Sequence, residues 1–447
     1  MKNFIILLSL LTSVNFVLAQ QSTEVLTQKK LEAIQAYVDH FDSNDQLMGN
    51  VSIFEKGKEI LNLTFGAENI KTNTKGSKKY FIGSITKLFT GLVFAQLSEK
   101  GQIDLDEKLS AYFPELPNAQ NITLDHMLRH TSGMGDYVVK EDSLLFWLEN
   151  PQSTESIIDE IIRQDVSFQP GDSVSYSNSA YYILGKVLEK ELGKTYLQII
   201  EKQIAQPYGL TNTSAVGPTM VHPDVHSFRK EGKHWTIMKE FCFANACAAG
   251  DIASNARDLN SLLTQLFDNK IVSAPTLKAM TPIDGDYFGA GMMLAPFYDI
   301  SSYGHGGDTY GTHSAAFYNP DNNISLSYII NGENYPTNDF ALGLLSIIYN
   351  KEYELPSFDT YDISETSLQQ YEGVYGTAEL PINITITSND GALIAQGDGQ
   401  PSFVLNPIEE HKFEYLQAGL KIEFLPGQGQ IILEQGGQKF EMEIIEK

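Results

Sequence analysis

The chain has 447 residues, 42% of them hydrophobic, enough for a large core and two folding units. Its 31 basic residues face 56 acidic ones, and a net charge of -25 with no basic stripe argues against a polyanionic partner such as nucleic acid. Cys242 and Cys247 are too few for a disulfide scaffold or, by themselves, a structural zinc site; in an oxidising compartment they could pair, although their spacing is awkward on a helix.

Residues 1–19 read as a cleavable secretory signal. Lys2 supplies the positive start, Phe4 to Phe16 is almost wholly apolar, and Val17-Leu18-Ala19 offers a small residue at the cut. The apolar run is short for a membrane span, no cysteine near the cut suggests a lipid anchor, and no later stretch is long and apolar enough to cross a bilayer. The expected product is secreted or periplasmic, without a membrane span.

Leu31, Ile34, Val38 and Phe41 recur at helical spacing, and Val51 to Phe65 reads as two strands turning at Lys56-Gly57-Lys58. After Ser84, residues Leu88, Phe89, Leu92, Val93, Phe94 and Leu97 leave almost no polar face, which predicts a buried central helix stopping near Gly101. From about 100 to 285 helical patterns dominate, including Ala180 to Leu192 ended by Gly193. Strands return between Tyr287 and Asn331, with Ser314 to Tyr318 and Ser325 to Ile330 flanking a turn at 319–323. Beyond Leu355-Pro356 come short strands at Ile382 to Ile386, Phe413, Leu420 to Phe424, Ile431 to Leu433 and Phe440 to Ile444. The expectation is α+β over 20–355, an antiparallel sheet flanked by helices plus a helical subdomain, then a small all-β barrel over 356–447.

Ser84 and Lys87 stand three apart at the start of the buried helix, so they share a face and the amine can reach the hydroxyl. A helix N-terminus favours developing negative charge, and burial lowers a lysine pKa toward that of a base. Alone, Ser-x-x-Lys is a weak signal, equally readable as a helix cap beside a surface lysine. Two more segments change its weight: Tyr176-Ser177-Asn178, and His305-Gly306-Gly307 followed by Asp308.

With these three motifs in order, the chain resembles the serine β-lactamase and penicillin-binding-protein superfamily, in its class C β-lactamase-like branch of esterases and D-amino-acid peptidases. The stretches at 124–133 (with His130-Thr131-Ser132-Gly133), 169–178 and 248–259 also look like that family, and the likeness spans about residues 30 to 335. The resemblance implies that Ser84 is acylated, that Lys87 and Tyr176 share the proton work with either open as the base, and that Asn178 orients the lysine or binds a substrate amide. It further implies that His305 lines the strand beside the acyl group, and that the backbone N–H groups of Ser84 and Asp308, the latter just past Gly307, form the oxyanion hole. The C-terminal unit is similar to a lipocalin-like domain, its opening strand at 368–376, and is either a passive appendage or a contributor to the site mouth.

Many relatives carry Thr or Ser where this chain has Gly306, a hydroxyl that helps hold a substrate carboxylate. With His305 in place of lysine and Asp308 close by, the site is expected to suit an ester, an internal amide or a substrate bearing an amine rather than an anionic β-lactam. The leading expectation is a serine hydrolase of peptides, aminoacyl amides or esters. A class C-like β-lactamase or D-Ala-D-Ala carboxypeptidase is the alternative enzyme, and a penicillin-binding sensor without turnover the alternative of another class. The pairs His126/His130 and His222/His226 have His-x-x-x-His spacing, but that pattern is common by chance and lacks the glutamate of a zincin, so neither metal nor cofactor is expected. The partner is a small-molecule or peptide substrate, and a homo-oligomer is compatible with the chain. Tyr137 reads as packing near the site.

Overall fold

The computed structural model describes residues 25–66, 79–138, 147, 149–216, 226–231, 234–283, 285–358, 361, 363–389, 391–400 and 402–447. The signal at 1–19 and His222 lie outside them. Helix α1 (Gln28–Ser43) starts where the Thr27 side chain accepts from the Lys30 N–H, and it buries Ile34, Tyr37, Val38 and Phe41. Strands β1 (Leu47–Glu55) and β2 (Lys58–Phe65) form the expected hairpin. β3 (Tyr80–Phe81) runs through the 3-10 turn Gly83–Ile85 into α2 (Thr86–Glu99), buried from Thr86 to Leu97. The helical middle holds α3 (Leu124–Leu128), α4 (Thr154–Gln164), α5 (Asn178–Leu192) and α6 (Tyr196–Ile200). Gly193, left-handed at φ 59°, ends α5 as its position suggested.

Strands interrupt that middle, which the helical periodicity did not reveal. β4 (Ser214–Ala215), β5 (Phe228–Glu231), β6 (His234–Ile237) and β7 (Ile252–Ser254) are too short for a period-2 pattern to register. Helices α7 (Ala256–Phe267) and α8 (Ala274–Met280) lead into β8 (Met293–Phe297), β9 (Ile300–Asp308), β10 (His313–Asn319) and β11 (Ile324–Glu333), and α9 (Thr337–Tyr349) closes the unit. The main sheet runs β2-β1-β11-β10-β9-β8, all antiparallel, so strands from both ends of the unit meet as expected. β5 adds one parallel pairing to this antiparallel sheet, Gly332 opposite Phe228 and Glu333 opposite Arg229.

The apolar sides of α1 and α9 pack with β1, β2 and β11 in one core, and α2, α5 and α7 anchor the other. α7 is also pinned by polar contacts: Asn260 donates to the Ser52 carbonyl and accepts from the Ser325 and Ser327 hydroxyls. Cys242 and Cys247 are free and buried at either end of the 3-10 helix Phe243–Ala246. Among the described residues no helix is long and apolar enough to cross a membrane.

The C-terminal strands form a closed barrel: β12 (Gly373–Gly376), β13 (Ile384–Asn389), β14 (Ala392–Gly397), β15 (Phe403–Glu409), β16 (Lys412–Tyr415), β17 (Leu420–Leu425), β18 (Gln430–Gln435) and β19 (Gln438–Glu446). Tyr375 opposite Ile444 closes it. The stretch 368–376 is only partly strand, since 3-10 geometry at Gln369–Tyr371 precedes β12. Eight strands leave an interior just wide enough for side chains, and here Tyr371, Phe413 and Phe424 fill it, with Tyr371 and Phe424 at 4.5 Å between ring centroids.

Candidate active site

Ser84 sits in the 3-10 turn that feeds α2, and the turn lies directly against the end of β9. Two glycines make that approach. A Cβ on Gly307 would stand 2.1 Å from the Ile82 carbonyl oxygen and 2.9 Å from the Ser84 nitrogen. One on Gly83, at φ 51°, would stand 2.6 Å from the Asp308 oxygen and 2.8 Å from its nitrogen. The backbone nitrogens of Ser84 and Asp308 therefore converge where the turn crosses the strand.

Lys87 is the next turn of the same helix, 0% exposed. Its Nζ lies 3.1 Å from Ser84 Oγ, 2.7 Å from Asn178 Oδ1 and 2.8 Å from the Ala249 carbonyl oxygen. Burial pulls the ammonium down to about 7, against the nearby Asp136 carboxylate, which pulls it up. The stretch at 248–259 explains itself here. Ala248 is left-handed at φ 62°, its N–H donates to the buried Asp251 carboxyl, and the resulting turn aims the Ala249 carbonyl at Lys87.

Asn178 is the first residue of α5, whose N-cap Ser177 accepts from the Ala180 N–H. The amide donates from Nδ2 to Asp136 Oδ2 at 2.9 Å, which turns its oxygen toward Lys87.

Tyr176 stands one residue before that cap, largely buried, its hydroxyl hydrogen-bonded with Ser84 and its ring centroid 4.7 Å from Lys87 Nζ. Burial raises its hydroxyl well above the usual phenol range, and the Ser84 hydrogen bond lowers it by less. The segment carrying Tyr176 is zipped to the stretch at 124–133: Gly171 N–H donates to the Thr131 carbonyl, and Ser175 N–H to that of His130. His130 itself is left-handed at φ 60°, accepts from the Ser177 N–H at 3.1 Å, and stacks on the Tyr176 ring at 4.4 Å. Burial drives its imidazole well below the ordinary range, so it is a neutral packing and hydrogen-bonding wedge. His126, its partner in the spacing, accepts from the Thr123 N–H in a capping box at the start of α3.

His305 is 2% exposed, its Nδ1 2.5 Å from the Gly306 carbonyl oxygen, and burial carries its pKa down to about 3. It is therefore neutral, its ring centroid 6.4 Å from that of Tyr176. Asp308, at the end of β9, has a side chain 75% exposed. Its Oδ1 binds His313 Nδ1 at 2.7 Å, and His313 Nε2 reaches Glu333 at 3.0 Å; these carboxylates hold the imidazole up to about 10. The two carboxylates and the imidazolium together carry a net negative charge.

Ser84, Asn178 and Asp308 open on a cavity of about 190 Å³ walled by Tyr137, Phe241 and Tyr310. Tyr137 is both packing and wall: it is fully buried and its hydroxyl donates to the Asn245 carbonyl at 2.6 Å. Among the described residues the barrel contributes none to this lining.

Comparison with known proteins places the chain in a family. The family model described as Beta-lactamase matches residues 34–346, well over half of the chain. The chain belongs to the Beta-lactamase family. A penicillin-binding protein of Bacillus subtilis (strain 168) is 24% identical over 449 residues, covering 90% of this chain and 95% of its own. The D-amino acid amidase of Ochrobactrum anthropi SV3 superposes with a TM-score of 0.60 at 26% identity, over 71% of this chain and 98% of that one. An octameric penicillin-binding protein homologue from Pyrococcus abyssi shares the fold over 94% of this chain and 100% of its own, at TM-score 0.60 and 21% identity.

Within this Beta-lactamase framework, the structure brings Ser84, Lys87, Tyr176, Asn178, Gly307 and Asp308 to one place, with the buried His305 ring 6.4 Å from that of Tyr176. Sequence reasoning missed Asp136, which follows the stretch at 124–133 as a lone acid between Gly135 and Tyr137. An isolated carboxylate in a nearly uncharged stretch was the available signal. It also missed His313, whose partners Asp308 and Glu333 come together only through the β9-β10-β11 pairing.

Proposed function

We propose that this chain is a serine hydrolase that forms an acyl-serine intermediate on aminoacyl amides, peptides or esters. The hydrogen-bond geometry around Lys87 carries the reading. A neutral amine has two N–H groups and one lone pair; Asn178 Oδ1 and the Ala249 carbonyl can accept only the former, so the lone pair faces Ser84 Oγ. Lys87 takes the Ser84 proton as Oγ bonds to the acyl carbon, and the carbonyl electron pair moves onto its oxygen, facing the N–H groups of Ser84 and Asp308. Tyr176 keeps its proton at neutral pH because burial raises it. Its hydroxyl donates that proton to the leaving nitrogen or oxygen as the carbon–leaving-group bond breaks, and Lys87 returns one. Water then attacks the ester by the reverse route.

The finer substrate reading is an acyl amino acid with an apolar side chain and a free amine. Aromatic walls and the exposed Asp308 carboxylate support it. The likeness to a D-amino acid amidase points the same way. Gly306 without a hydroxyl and a neutral His305 speak against a β-lactamase or carboxypeptidase, both of which need a carboxylate held. Export under the leader at 1–19 belongs to the same proposal and is checked by the N-terminus of the mature protein.

The test is fluorophosphonate labelling followed by turnover of D- and L-aminoacyl p-nitroanilides, a chromogenic ester and a chromogenic cephalosporin. Ser84→Ala should abolish labelling and cut turnover by at least about 10³-fold, and Lys87→Ala by about 10²–10⁴-fold. An active Ser84→Ala variant, or cephalosporin turnover well above that of every amide and ester, would sink the proposal.

A further inference from the structure

Asp136 lies under the N-terminus of α5, on the side of Asn178 away from Lys87. Its Oδ2 accepts from Asn178 Nδ2 at 2.9 Å and from the Asn178 backbone N–H at 3.3 Å, while Oδ1 accepts from the Val138 N–H at 3.1 Å. Three donors converge on the group and favour its ionised form, against burial, which is the larger effect and raises its pKa. A carboxylate can only accept, so it decides which way the Asn178 amide points: nitrogen toward Asp136, oxygen toward Lys87.

We propose that Asp136 is a positioning residue for acyl transfer, holding the Asn178 oxygen on Lys87 and supplying the negative charge that balances the ammonium formed when this buried amine takes the Ser84 proton. The inference rests on Lys87 being the base. The groups facing Lys87 are Ser84 on its own element, Asn178 and the Tyr181 ring on α5, the Tyr176 ring before it, the Ala249 carbonyl, and the imidazoles of His130 and His305. Burial keeps both imidazoles neutral, and both tyrosines keep their protons. Among the described residues Asp136 is thus the carboxylate acting on Lys87, and it raises a pKa that burial lowers to about 7. Without it the amine would lose its counter-charge, and the amide would be free to turn its nitrogen toward the lysine.

The test is the pH profile of kcat/KM for Asp136→Asn. A carboxamide cannot accept from both the Val138 N–H and the Asn178 amide, so the Asn178 orientation is no longer enforced. The rate should fall about 10- to 100-fold. The acid limb should also move, since losing a negative charge lowers the lysine pKa. It should shift to lower pH by about one unit. Asp136→Glu, which restores a carboxylate, should return the limb to its wild-type position. In a double-mutant cycle, Asp136→Asn combined with Asn178→Ala should cost little more than Asn178→Ala alone.

A purely structural role would lower the rate and leave the limb in place. An unmoved limb, or losses that multiply in the double variant, would overturn the inference. If Asp136→Asn does not fold, Asp136→Ser removes the charge while keeping a small acceptor, and the same limb shift is required of it. Lys87→Ala separates the two ideas. If that variant stays active the base assignment fails, whereas an inactive Lys87→Ala beside an unmoved Asp136→Asn limb defeats the Asp136 role alone.

Discussion

Adjacent glycines at 306 and 307 should respond oppositely to the same added methyl group. On Gly307 the new Cβ would stand 2.1 Å from the Ile82 oxygen, whereas ordinary contact begins at 3.4 Å. Strand and turn must therefore part by about 1 Å. The Ile82 carbonyl cannot yield freely, because it accepts from the Ser314 hydroxyl at 3.0 Å and the Ile82 N–H donates to Ile252 at 3.1 Å. Overpacking of this kind costs about 1–3 kcal/mol. A shift of that size between the nucleophile turn and Asp308 costs about 10²-fold in rate. On Gly306 the nearest atom to a new Cβ is the Ser314 carbonyl oxygen at 3.8 Å, so Gly306→Ala has room. The assay is kcat/KM on the best aminoacyl p-nitroanilide together with the fluorophosphonate labelling rate, which reads Ser84 and the oxyanion donors with a fluoride leaving group that departs without being protonated. Gly307→Ala should lose both by about 10²-fold and Gly306→Ala neither. Equal damage in the two variants, or a Gly307→Ala enzyme within about threefold of wild type, would refute the crossing geometry.

The same vacancy predicts that Gly306→Thr raises Ser84 acylation by benzylpenicillin about 10-fold, since a hydroxyl bonded to a carboxylate is worth about 1.5–3 kcal/mol. Intact-mass detection of the penicilloyl adduct checks it, and no gain would mean that carboxylate recognition is not limiting. For the wild type, kcat/KM should rise through about pH 7 as Lys87 loses its proton, then stay flat into the mildly alkaline range because Tyr176 remains protonated. An acid limb in the carboxylate range instead would assign the base to another group. His313, held up to about 10 from 6.5, contributes stability that is fully present below pH 6.5 and lost as pH rises through 10. The gap in Tm between wild type and His313→Gln should therefore be widest near pH 6 and close toward pH 10; a constant gap would show that the ion cluster is not its source.

Most of the site was legible because its chemistry is local. Ser84 and Lys87 share a helix turn, Tyr176 and Asn178 share a helix start, and Gly307 precedes Asp308, so short motifs carried them. The barrel was legible for a related reason: Ile384, Ile386, Ile431 and Leu433 alternate inward, and period-2 burial shows in a single sequence. What was not legible depends on contacts between distant segments. The Ala249 carbonyl is a backbone atom with no signature, and the Asp136 role exists only once Asn178 is placed beside it. The neutral state of His305 was not legible either, because it follows from packing between distant segments. Burial in β9, with its ring 6.4 Å from that of Tyr176, holds its imidazole uncharged. The strands β4 to β7 escaped because two to four residues hold too little pattern.

The pairing at the centre of the main sheet bears on how the chain acquires its fold. β1 pairs with β11 from Leu47 opposite Glu333 to Glu55 opposite Ile324, so the sheet closes on itself across about 280 residues of intervening chain. During synthesis, β1 and β2 emerge with only α1 to pack on and must wait for β11. Until then the inward row of Leu47, Val51 and Ile53 has no sheet to join. Such a chain is slow to refold, because the pairing at the centre of its main sheet joins distant segments.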